Sequence, residues 1–479
     1  MQREPDMSAA GTSRADDESP GASTKGSGRI LAVLFLGVLM AAMDIAILGP
    51  ALPAIQETFG LTERVVSWAF NAWVFANLVG VPIMSKLADI FGRRNVYLFD
   101  IGLFAVGATV VAISPNFTVL LVGRCMQGFA VSGVFPVAGA VVGDAVPPER
   151  RGRAFGVLGS VFGVAFIIGP ILAGLMLMLG WRWLYLVYIP LALMVIVFGF
   201  FVLRTTRQTE RRPIDWKGLA ALAAALFALA YALSMMNTDD LVSNLTDPRI
   251  MLSLGAVLLL LPLFVRFERG AADPVLRLDL LRSRQVALAC LLATGAGISE
   301  ASFIYFPSLA VLAYGVDASA ASFMLLPLVV AVAVGSPIAG RLLDRVGSRA
   351  IVLGGYVLLA AGMAGIAAAP GNRTVFYGSS VLIGLGLAAL MGSALSYILL
   401  HEARKAERAV SQGIITLFIS IGQLLAGAAV GAAASSAVDR LSGFQGAFWG
   451  IAVFCFLMLI AGAFLKSRRR ERQALYSES

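Results

Sequence analysis

Apolar residues come in fourteen long runs, separated by short breaks that are charged or rich in Gly and Pro. The runs cover 30–54, 66–84, 96–114, 118–143, 156–179, 184–203, 216–236, 250–265, 286–313, 319–340, 350–369, 375–399, 409–434 and 444–465. A helix needs about 20 apolar residues to cross a bilayer, whereas a barrel strand needs about 10. Lipid offers backbone groups no partner, so a run of this length must pair its own N–H and C=O groups as a helix. The pattern therefore predicts an all-α polytopic membrane protein with fourteen transmembrane helices.

Charge orients the helices. With both termini placed in the cytoplasm, 31 of the 37 Lys and Arg fall in cytoplasmic segments, five outside, and one, Arg124, within the membrane. The inverted arrangement would invert that ratio, against the positive-inside rule. The expected location is the cytoplasmic membrane. The net charge of +9 is thus a topology signal, and nucleic acid is not an expected partner. The basic stretch "KSRRRERQ" at the end of the chain is expected to meet anionic lipid headgroups. Residues 1–28 are polar, with no apolar core of a signal peptide, and are expected to form a disordered cytoplasmic tail. Cys125, Cys290 and Cys455 each lie inside an apolar run, so they are expected to be small apolar fillers. No metal site is expected.

The chain repeats itself. "GVPIMSKLADIFGRR" (Gly80 to Arg94) returns as "GSPIAGRLLDRVGSR" (Gly335 to Arg349), offset by 255 residues. At the same offset Arg153 maps onto Arg408, and "GPILAG" from Gly169 is echoed by "GQLLAG" from Gly422. Two copies of a six-helix unit are implied, with two helices inserted between them. The expected divisions are a tail at 1–28, a first half at 29–203, a linker carrying the two extra helices at 204–285, a second half at 286–466, and a basic tail at 467–479. Six-helix halves related by an axis along the membrane normal are a transporter architecture, with the substrate site near the midplane between them.

Ionisable residues at membrane depth are costly and default to functional roles. Asp44 lies about 21 Å into the first run at 1.5 Å per residue, and Arg124 about 9 Å into the fourth from the other face. The two fall in one layer and can pair, with Gln127 sharing the face of Arg124. The repeat maps Asp44 onto position 299, so Glu300 has nearly the same place in the second half. Burial in a low dielectric favours the protonated form of a carboxylate. A carboxylate reached by a proton or an organic cation, but not both, couples the two. Asn71, Trp73, Asn77, Gln127, Tyr305, Phe306 and Gln423 are expected to line the cavity, since aromatics with few polar groups suit amphipathic ligands.

These residues carry a resemblance. "KLADIFGRR" resembles the loop between helices two and three of the major facilitator superfamily, in its fourteen-span drug:proton antiporter branch, with Ser85 for a usual Gly. "GRCMQG" resembles the pattern around that branch's embedded Arg. "GVAFIIGPILAG" resembles its helix-five antiporter motif, carrying Gly163, Gly169, Pro170 and Gly174. "MDIAILGPALP" resembles its first-helix motif, with Ala46 for a Thr. The resemblance implies the major facilitator fold and export rather than import. It also implies a multidrug-type secondary antiporter of amphipathic, mainly cationic compounds, driven by the proton gradient, without cofactor and without enzymatic activity. A monomer is the expected working unit. Asp44, Arg124 and Glu300 are then expected to couple protons. Asp89, Arg93, Arg94, Asp100, Asp144, Arg153, Asp344, Arg345 and Arg349 are expected to form a cytoplasmic gate. Rival readings are an exporter dedicated to one metabolite or lipid, and a non-transporting receptor or assembly protein.

Overall fold

The structure is a computed structural model. It describes residues 24–145, 148–203, 215–236, 241–244, 246–271, 280–395, 398, 408–436 and 439–466; within these it gives the backbone alone at 24–27, 85, 86, 89, 140, 143–145, 148–160, 162, 241, 242, 280, 344, 392, 393, 408–413 and 436. The tails and the loop around His401 lie outside the described residues.

Everything described is helix or short connection. Among the described residues, fourteen principal helices follow the apolar runs. They are α1 (Thr24–Phe59), α2 (Trp68–Phe91), α3 (Arg93–Ala112), α4 (Phe117–Ala145), α5 (Pro148–Leu177), α6 (Tyr188–Val202), α7 (Trp216–Met235), α8 (Pro248–Gly270), α9 (Arg284–Phe303), α10 (Leu326–Val346), α11 (Ser348–Ala368), α12 (Arg373–Ala389), α13 (Arg408–Ser436) and α14 (Arg440–Gly462). Twelve helical stretches among the described residues are long and apolar enough to span a membrane; two shorter apolar ones, Gly163–Leu177 and Arg373–Ala389, stand in the fifth and twelfth places.

Helix pairing repeats. In the first half α1 packs on α5, α2 and α3 on α4, and α3 on α6; in the second half α9 packs on α13, α10 and α11 on α12, and α11 on α14. Each second-half helix carries its counterpart's number plus eight. The inserted α7 and α8 lean on each other, and α7 also reaches α2 and α13. Trp68 Nε1 donates to Ser234 Oγ at 3.2 Å across that contact. Leu252, Leu258 and Leu259 of α8 are more than 70% exposed, as lipid-facing side chains are.

The duplicated stretches end alike. Gly92 has φ 89° and Gly347, 255 residues on, has φ 87°. Each joins two helices with no intervening residue, in a conformation that a side chain would strain.

Contacts between the halves gather where α1 leaves off and α2 begins. Arg440 Nη1 lies 3.3 Å from Glu63 Oε1, and Gln56 Nε2 donates to the same oxygen at 2.9 Å. The Arg64 backbone N–H donates to Ser435 Oγ at 2.6 Å. Ser319 Oγ donates to the Gly174 carbonyl and Ser322 Oγ to that of Pro170. Gly427 and Gly431 have no room for a Cβ beside Asn71 and Ser67, and Gly49 has none beside the Ile304 carbonyl. Small residues let helices close to backbone contact, and this end is sealed by that means.

Candidate functional site

Arg124 of α4 is 1% exposed and ties three helices together. Its Nη1 donates to both oxygens of Asp44 on α1, each at 2.9 Å, and to Gln127 Oε1 at 2.9 Å. Its Nε donates to the Ala69 carbonyl of α2 at 3.1 Å. Gln127 closes the triangle by donating to Asp44 Oδ1 at 3.3 Å. The sequence places Gln127 one turn from Arg124, and α1 also packs closely on α5, where a Cβ on Gly169 would press against the Ala46 methyl. The rings of Trp73 and Tyr185 each have their centroids 6.0 Å from the guanidinium carbon, a cation–π arrangement. Buried charge is tolerated when paired and hydrogen-bonded, and this pair is both.

The second half builds a carboxylate site with different chemistry. Gly297 and Gly422 bring α9 and α13 together until no Cβ fits against the facing carbonyls of Ile419 and Thr294. Glu300 then meets Gln423, whose Nε2 donates to Glu300 Oε2 at 2.8 Å. Both are buried. Among the described residues no cation faces Glu300.

The expected cavity residues divide. Trp73 and Gln127 border the Asp44 pair, and Gln423 holds Glu300. Asn77 Nδ2 donates to the Gly128 carbonyl at 3.3 Å, fastening α2 to α4. Asn71 is fully buried at the seam against Gly427, its amide without a hydrogen bond. Tyr305 and Phe306 are not wall residues. The Tyr305 hydroxyl donates to the Gly427 carbonyl at 2.9 Å, and Phe306 sits among Phe376 and Phe448. Residues 304 and 305 interrupt the helix after α9, which turns both rings into the second half.

Of the antiporter-motif residues, Gly169 packs on α1, while Pro170 and Gly174 meet Ser322 and Ser319 across the seam. Gly163 has open space where a Cβ would stand.

The expected gate is seen only in part. The side chains of Asp89, Asp144, Arg153 and Asp344 lie outside the described residues. Arg94 lies over the Phe200 ring at 4.4 Å, Arg93 and Arg349 are half-buried, and Arg345 is exposed. Asp100 is a correction: it is fully buried between α3 and α4 with neither oxygen hydrogen-bonded, and Gly133 opposite has no side chain to hold the helices apart.

Sequence reasoning missed Tyr185 and Tyr188. Both are buried beside the Asp44–Arg124 pair, close enough to feel its charges, and neither hydroxyl has a hydrogen bond. The available signal was their spacing of three in the otherwise apolar "LYLVYIP".

The family model described as Major Facilitator Superfamily matches residues 34–426 and again 288–478. The chain belongs to that superfamily. This major facilitator protein is 28% identical over 402 residues to the uncharacterised MFS-type transporter YfiU of Bacillus subtilis, covering 83% of this chain and 77% of that one. It is 26% identical to the multidrug resistance protein B homolog of Mycobacterium tuberculosis over 80% of this chain and 72% of that one. It is also 26% identical to the lincomycin resistance protein of Streptomyces lincolnensis, over 87% and 88%. Among solved structures it resembles the human organic anion transporter MFSD10, with a TM-score of 0.61 at 18% identity over 91% of this chain and 99% of that one. It resembles the xylose transporter XylE of E. coli, in a partially occluded inward-open conformation, with a TM-score of 0.65 at 12% identity over 93% and 99%. The protein is a multi-pass membrane transporter of small molecules, not an enzyme.

Proposed function

We propose that this transporter is a proton-coupled exporter of amphipathic, chiefly cationic drugs or toxic compounds across the cytoplasmic membrane. The observation that carries the reading is a buried carboxylate in each half at neighbouring repeat positions, one held by a cation and one by an amide. The names of the mycobacterial and streptomycete relatives support export of toxic compounds. With both termini cytoplasmic, the sealed end is the outer one. A substrate then enters from the cytoplasm, displaces a proton at the carboxylate layer, and leaves when the seam at Glu63, Arg440 and Gly431 parts. Inward proton flow supplies about 2.3 kcal/mol per charge per 100 mV. No cofactor is needed, and the monomer is the working unit.

The test is a pH-dye assay in inverted vesicles with a panel headed by ethidium. Wild type should exchange protons for several panel members, while Asp44→Asn and Glu300→Gln should lose that exchange. Normal exchange in both variants would refute the coupling. Response to a single compound would point to a dedicated exporter.

A further inference from the structure

Asp100 lies seven residues into α3, about 10 Å from the helix start at Arg93. It is fully buried, and neither carboxylate oxygen has a hydrogen bond. Around it, α2 presents Met84 and α4 presents Gly133, whose missing side chain is what admits the carboxylate. Beyond Tyr188, α6 has no ionisable residue. On α4 the described charge is Arg124, nine residues from Gly133, about 14 Å along the axis and paired with Asp44. The side chains of Lys86, Asp89 and Asp144 are outside the described residues. Among the described residues the titratable neighbour is Tyr97, one turn earlier, its hydroxyl donating to the Leu34 carbonyl of α1 at 3.2 Å. Tyr97 thereby plugs the space between α1 and α3, and Gly37 has no room for a Cβ beside that hydroxyl.

We propose that Asp100 is a proton-binding site of the first half, separate from the Asp44–Arg124 pair. A dry carboxylate without donor or cation costs several kcal/mol to ionise. The packing of α3 on α4 at Gly133 fits the neutral acid. Losing the proton requires water or a cation to reach the group, so α3 must part from α4 or slide along it. The site is thus a proton store whose emptying accompanies a shift of the helix that begins after Gly92. In the transport cycle it adds a third carboxylate, nearer the start of α3 than the midplane layer.

Infrared difference spectra of the full chain in lipid vesicles, taken between acidic and alkaline buffer, test this. Wild type and Glu300→Gln should both show a carboxylic-acid C=O band that Asp100→Asn lacks. If the Asp100→Asn spectrum keeps every wild-type band, the proposal falls. A second measurement uses wild type alone. Dicyclohexylcarbodiimide adds to protonated carboxyls in apolar surroundings, leaving an N-acylurea. Peptide mapping should find the adduct on Asp100 at low pH, diminishing as pH rises. No adduct at any pH would overturn the assignment. Neither readout uses transport, so failure of the antiport reading leaves this one standing.

Discussion

Asp44 and Glu300 occupy adjacent places in the repeat, yet the two halves hold them by unlike means. Asp44 accepts from a buried guanidinium at both oxygens and from an amide at one. Glu300 accepts from one amide. The first site is a charged anchor, since changing the state of either partner strands the other. The second tolerates a change of charge, because its partner is neutral in every state. In the proposed cycle the first site is the fixed frame and the second is the one whose charge changes. The moving proton of the proposed cycle therefore belongs first to Glu300.

The comparison breaks most readily at the anchor. Asp44→Asn leaves Arg124 buried without a counter-charge, which costs about 3–5 kcal/mol. The full chain in detergent should melt well below wild type. Adding Arg124→Met removes the stranded charge and should restore at least half of the loss. If Asp44→Asn melts as wild type does, the pair is not an anchor.

A smaller effect comes from giving the second half the chemistry of the first. Gln423→Arg supplies Glu300 with the cation that Asp44 enjoys. The longer side chain at a close helix crossing should cost about 1–3 kcal/mol by overpacking. Proton-driven ethidium efflux should fall at least about tenfold, a loss worth about 1.4 kcal/mol. Retained efflux in a folded variant would mean that the neutral partner is not what frees Glu300.

Glu300→Gln is gentler still on stability. The new amide oxygen can accept from Gln423 as the carboxylate did, so the hydrogen bond survives in neutral form. Such bonds differ from their charge-assisted versions by about 1 kcal/mol. A melting point near wild type with proton exchange lost would separate folding from coupling. A large fall in melting point would make Glu300 structural.

Much of this was legible beforehand. Apolar runs announce membrane helices, because lipid imposes one answer on a long run, and a duplicated loop announces duplicated halves. Depth put Asp44 and Arg124 in one layer where they can pair, and the structure shows the pair. Tyr305 and Phe306 were misplaced because the break at residues 304 and 305 rotates both rings inward, and nothing in a continuous apolar run marks a break. Asp100 was misplaced for a related reason. Depth along a helix is countable, but the face that a residue presents depends on its neighbour. Here that neighbour is Gly133, which shows as an ordinary glycine in sequence.

The smallest effect tests whether the halves part where they are joined. Arg440 is 55% exposed, while Glu63 is 7% exposed and also bonded by Gln56. An exposed bridge is worth about 0.2–1 kcal/mol, and Gln56 still satisfies Glu63 when Arg440 is gone. Arg440→Ala should therefore shift the balance toward the arrangement open at this end by up to about fivefold. Ser308 lines a cavity of about 670 Å³ beside the bridge. A cysteine placed there should react up to about fivefold faster with a water-soluble maleimide in the Arg440→Ala background. Wild type in 1 M salt, where the Debye length is about 3 Å, should approach the same rate. Equal rates at low salt would show the bridge to be idle, leaving the glycine contacts and the hydrogen bonds of Arg64, Ser319 and Ser322 as what holds the halves together.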